Sequence, residues 1–109
     1  MIDNISQEII GLCSNLFGVT KAEVKKSNVS SDKLDEIFDD VRKNYDYAKD
    51  LYSALLSHQN DKVRFVAAGC CLKLNAHVKK AEKVLKIISK ENDNPSIRFS
   101  AEMTLEVWK

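Results

Sequence analysis

The sequence predicts an all-α fold, a solenoid of about five or six helices. Three observations carry that expectation. The C-terminal half repeats itself: Leu55-Leu56-Ser57-His58-Gln59-Asn60-Asp61 is echoed by Ile87-Ile88-Ser89-Lys90-Glu91-Asn92-Asp93, and Val63-Arg64-Phe65 by Ile97-Arg98-Phe99. Each copy has helical spacing, and no stretch alternates with period two for long enough to read as a strand. One proline and three glycines in 109 residues leave long helices uninterrupted.

The repeat offset is 32 residues before the turn and 34 after it, because Asn94-Pro95 is inserted in the second copy. A single domain over residues 1–109 follows, with repeat copies at about 46–75 and 76–109. Units of this kind stack and present surfaces.

The elements read as follows. A first helix is expected from Asn4 to Phe17, with Ile5, Ile9, Leu12 and Leu16 on one stripe widened by Ile2 and Cys13. Gly18 suits the left-handed position after it. Thr20-Lys21-Ala22-Glu23 fits a capping box with Val19 as staple. A short helix then gives way to a loop at Ser27–Ser31. Residues 32–57 hold a helical period without Pro or Gly, and are read as two helices broken near Asn44–Asp46, one continuous helix being the alternative. Asp61 is expected to cap a helix with Val63, Val66, Ala67, Cys70, Cys71 and Leu74 inside, ended by Asn75. Val78, Ala81, Leu85 and Ile88 define the next. Asn94 caps the last, with Pro95 at its first position and Ile97, Ala101, Leu105 and Trp108 inward. Trp108 is expected to close the core.

The net charge of +1 implies no bulk attraction to nucleic acid or membrane. The charge is nonetheless polarised. Asp32, Asp35, Glu36, Asp39, Asp40, Asp46 and Asp50 dominate the middle, and Lys73, Lys79, Lys80, Lys83, Lys86 and Lys90 dominate a later segment. Cys13, Cys70 and Cys71 read as buried thiols of a reducing, cytoplasmic setting. The N-terminus has no basic run of a signal peptide, and no apolar run approaches the ~20 residues of a membrane span.

The pattern Asp61-x-Val63-Arg64-x-x-Ala67-Ala68-x-Cys70-Cys71-x-x-Leu74 resembles the second helix of a HEAT repeat, and Leu55-Leu56 the end of the first. The second copy keeps Ile97-Arg98, Ala101, Leu105 and Trp108 but carries Glu102 for the second alanine. The resemblance covers about residues 46–109 and makes the expected fold a HEAT-like α-helical solenoid. The run from Arg98 to Trp108 is similar to the ending of a small bacterial HEAT-like family of uncharacterised domains. That family includes immunity proteins of contact-dependent growth inhibition and related toxin systems. The resemblance implies a protein that binds and neutralises a cognate toxin.

Several side chains are candidates for contact with a partner. Asp35, Glu36, Asp39, Asp46, Tyr47 and Asp50 form an acidic, tyrosine-bearing set suited to a cationic protein surface. The bland alternative is a solvated face with pairs such as Asp39–Lys43. Phe65 and Phe99 repeat off the main stripe and either pack on the preceding helix or form an exposed ridge. Arg64 and Arg98 are read as bridging the inter-helix turns, Arg64 with Asp61. The lysine segment lacks the interleaved aromatics of a nucleic-acid surface. His58 and His77 have no motif partners, and Cys70-Cys71 with His77 does not reproduce a zinc spacing. No enzyme, metal, cofactor or small-molecule substrate is expected. The reading is an immunity protein occluding the active site of a toxin, a ribonuclease; a small cytosolic scaffold is the alternative, and nucleic-acid binding is less favoured.

Overall fold

The computed structural model describes residues 4–18 and 20–108. They form six helices: α1 (Asn4–Cys13), α2 (Lys21–Val41), α3 (Tyr45–Leu56), α4 (Asp61–Leu74), α5 (Val78–Glu91) and α6 (Pro95–Trp108). There is no strand among the described residues. From α3 onward each helix packs on the next, so the two repeat copies become stacked hairpins, α3–α4 and α5–α6. The α1–α2 pair joins them through α1 against α4 and α2 against α3. Extents of 37 × 28 × 24 Å describe a short stack.

The α4 helix lies at the centre, touched by α1, α3, α5 and α6. Its residues are consequently buried nearly all round: Val63, Ala67, Ala68, Cys70, Cys71 and Leu72. Ala67, Cys70 and Cys71 belong to the expected inner stripe, and Ala68 and Leu72 are buried outside it because helices pack on further sides of α4. Ala67 and Ala101, both fully buried, let neighbouring backbones approach. Around α4 pack Ile9, Phe38, Tyr52, Leu56, Leu85, Ile88 and Ile97. The Phe38 and Tyr52 rings meet edge to face at 5.8 Å.

Several boundaries differ from expectation. α1 ends at Cys13, not Phe17, and its inward residues are Ser6, Ile9 and Cys13, with Ile5 exposed. The left-handed residue after it is Phe17, with φ 61°, and not Gly18. Gly18 serves another need: a Cβ there would lie 2.5 Å from the Glu23 Cβ. The chain can cross the first turn of α2 only without a side chain. Ile2 and the staple expected at Val19 lie outside the described residues.

The capping box is present. The Thr20 hydroxyl accepts from the Glu23 N–H at 3.2 Å, and the Thr20 N–H donates to Glu23 Oε1 at 3.0 Å. The loop expected at Ser27–Ser31 is helix. These residues oppose helix only weakly, and Ser30 is buried, with its hydroxyl accepting from Asn15 Nδ2 at 3.1 Å. That tertiary bond outweighs the local preference for a turn. The break at residues 42–44 is real, and Asn44 caps α3 by accepting from the Tyr47 N–H at 3.1 Å.

Asn60, not Asp61, caps α4, accepting from the Lys62 N–H at 2.8 Å. Asn75 ends the helix at φ 59°. Asn94 caps α6 as expected, accepting from the Ser96 N–H at 2.9 Å. Trp108 does not close the core. It is 39% exposed at the end of the stack, and its indole N–H donates to Glu82 at 3.0 Å.

The three thiols are buried and free. Burial pushes Cys13 and Cys70 up from 9.0 to about 12, and Cys71 to about 11. Burial also raises the Tyr52 phenol. Its hydroxyl is enclosed near Cys70 without reaching hydrogen-bonding geometry. The fold thus favours the protonated thiols. Their contribution to stability is full below pH 9.0 and is lost as pH rises through about 11 to 12. Alkaline unfolding followed by circular dichroism should show stability falling above pH 9, less steeply in Cys13→Ala once its own cavity cost is subtracted. Gly18→Ala should cost roughly 1–3 kcal/mol in urea unfolding, because the methyl meets backbone and Cβ atoms of Glu23.

Candidate functional site

The structure divides the acidic set. Asp35, Glu36 and Asp39 are on α2, whereas Asp46 and Asp50 are on α3, and all five are exposed. The Asn44 turn prevents them from sharing one helix face. Asp39 pairs with Arg42, and Asp40 with Lys43 at 3.2 Å, in place of the expected Asp39–Lys43 pair. Asp35, Glu36, Asp46 and Asp50 have no ion-pair partner among the described residues, so their charge faces solvent. Tyr47 is half-buried against the core, which removes it as a free anchor.

The paired arginines and phenylalanines also part company. Arg64 pairs with Asp61, whose other oxygen accepts from Asn92 Nδ2 at 2.6 Å. Asn92 Oδ1 in turn accepts from the Asn94 N–H at 2.8 Å. This chain of polar contacts ties the α3–α4 turn to the α5–α6 turn, so Arg64 is structural. In the second copy Pro95 stands where Asp61 stands in the first. Arg98 accordingly has no ion pair among the described residues. Phe65 is half-buried and meets Phe17 edge to face at 5.5 Å. Phe99 is 63% exposed on α6.

The main concavity is a groove of about 780 Å³. Its floor is α4, with Phe65, Val66, Gly69 and Cys70. One wall is α2, with Val24, Ser27, Asn28, Ser31, Leu34 and Asp35. The other is the latter half of α6, with Met103, Thr104, Val107 and Trp108. Leu16, Phe17 and Gly18 line it from the α1–α2 turn. Asp35 and Lys73 are its charged lining residues. The groove therefore joins two candidates that looked separate in the sequence, Asp35 and Phe65, and leaves Asp46, Asp50 and Phe99 outside.

Four groove residues escaped the sequence reading. Val24 precedes the supposed loop. Met103 and Val107 continue the spacing of Phe99 along α6, off the core stripe, and Val107 is 82% exposed. Gly69 lies in the interior of α4, between Ala68 and Cys70. An added Cβ at Gly69 would meet nothing within 4 Å.

The Cys70 thiol borders the groove, and burial pushes it up from 9.0 to about 12, away from the reactive thiolate. His58 Nδ1 accepts from the Asn60 N–H at 3.0 Å, and His77 Nε2–H donates to the Lys49 carbonyl at 3.2 Å. Both imidazoles thus brace turns. Among the described residues no three His, Cys, Asp or Glu side chains converge on a metal position. No helix among them is long and apolar enough to cross a membrane. No family model, curated protein or solved structure matches the chain.

Gly69→Ala should stabilise the protein by roughly 0.5–1 kcal/mol in urea unfolding, since a helix-interior glycine is costly and the space above it is open.

Proposed function

We propose that this chain is a protein-binding module that neutralises a cognate toxin by covering its active site. The observation that carries the reading is the pairing of an open apolar groove with an acidic edge on α2, where Asp35 lines the wall and has no ion-pair partner among the described residues. Enzymes that cut nucleic acid hold their substrate on cationic surfaces, and an acidic edge is attracted to such a surface from a distance. The resemblance of the Arg98–Trp108 run to a family containing immunity proteins supports a toxin as the partner, and the acidic edge suits a ribonuclease. Inhibition would be by occlusion, one chain per toxin, in a cytoplasmic setting.

The test is co-expression with the toxin encoded beside the gene. Growth should be restored by the wild-type chain. Continued killing with folded protein present would overturn the reading. Reversing Asp35→Lys and Asp39→Lys together should weaken toxin binding about tenfold or more while circular dichroism keeps the wild-type helicity. Both residues are exposed and Asp39 gives up only its surface pair with Arg42, so stability should change by no more than about 1 kcal/mol.

A further inference from the structure

We infer that the groove between α2 and α6 receives a single amphipathic helix from a partner protein, with its apolar face in the groove and a Lys/Arg edge against Asp35 and Asp39. The inference rests on the chain being a protein-binding module and not on the partner being a toxin.

Shape is the first argument. A floor helix flanked by two wall helices makes a trough, and α4 lines its floor from Phe65 to Lys73, about 12 Å of helix. Ser27, Ser31, Gly69 and Thr104 are small where the walls and floor face the empty space. Gly69 is the sharpest of these. A glycine in a helix interior lowers stability, and here no neighbour needs the room. The vacancy above it matches the close approach of another backbone. Phe17 adds a second departure from local preference at the same place. It holds a left-handed φ of 61°, which disfavours a bulky residue, and lines the groove against Phe65.

Charge selects the occupant. On the α2 wall Asp35 lines the groove, and Asp39, one turn on, continues that edge. Arg42 neutralises part of Asp39, and Asp35 stays uncompensated. Lys21 stands on the same face at the far end of α2, and Lys73 on the floor. The basic edge of the guest therefore belongs at the Asp35 end. On the other wall Met103 and Val107 extend an exposed apolar stripe that begins at Phe99. A second copy of this chain is a poor guest. Its exposed stripe on α6 is bordered by Glu102 and Glu106, acidic residues where the guest needs basic ones.

The experiment uses the whole chain and two synthetic helical peptides of 14 residues, the length of α4. Both carry leucines at i, i+3, i+4 and i+7. One has lysines on the edge of that face, the other glutamates. Fluorescence anisotropy should show the Lys-edged peptide binding at least about tenfold more tightly. Gly69→Leu, which fills the trough, should weaken it by about tenfold or more without lowering the melting temperature. Asp35→Lys with Asp39→Lys should reverse the preference between peptides. Amide shifts in NMR should centre on Val24, Gly69 and Met103. Should Gly69→Leu fold poorly, Met103→Lys with Val107→Lys removes the exposed wall instead and should give the same loss. Equal binding of the two peptides, or binding indifferent to these variants, would overturn the inference. So would a wild-type dimer in sedimentation that Gly69→Leu makes monomeric, since the groove would then hold a second copy. Failure here leaves toxin neutralisation standing, and failure to rescue growth leaves this result standing.

Discussion

Close approach to α4 is the constraint from which the remaining architecture follows. Four helices converge on it, and they can do so because Ala67, Ala68, Cys70 and Cys71 project little from its axis. Larger residues there would hold the hairpins apart and open voids that close-packed interiors do not tolerate. The same crowding shifts the thiols and Tyr52, whose ionisation is pushed to higher pH because water is excluded from them. It also places Arg64, Asp61 and Asn92 where their contacts can tie one hairpin turn to the next. Part of the Arg64 guanidinium, its Nε, is buried without a partner, so the link carries a desolvation cost along with its gain.

The groove is a product of unequal helix lengths and unequal packing. α2 has 21 residues against 14 in α4, and its first half projects beyond the core. α6, at the end of the stack, buries only Ile97 and Ala101 fully and leaves its other sides open. Between them α4 is exposed along one strip, where Gly69 falls. Apolar walls and an acidic edge on α2 are the features on which the proposed partner surface rests.

Much of the fold was legible because the signals were local or periodic. The capping box at Thr20 and Glu23, the stop at Asn75, the start at Asn94-Pro95 and the repeated stripes each depend on residues a few positions apart. What was hidden depends on distant contacts. Ser30 looked like a loop residue until Asn15 supplied its partner. Asp61 looked like a cap, but Asn60 takes that place and frees the carboxylate for Arg64 and Asn92. Trp108 completed an inward stripe, yet the structure leaves it part exposed, held at its edge by Glu82. The acidic residues were visible as composition, while their division by the Asn44 turn required the direction of two helices. Gly69 carried a signal that went unread, a glycine inside an otherwise well-formed helix.

The thinly supported start of α2 has a bearing on how recognition would proceed. From Lys21 to Ser31 the one buried side chain is Ser30, so few contacts resist the opening of these turns. That stretch is also half of the wall a visitor would press against. Ordering entropy and contact energy would then be drawn from the same three turns, and a guest that braced them would forfeit some of its gain to stiffening. Evolution could raise affinity here without adding a single interfacial atom, simply by making this segment more rigid before anything arrives.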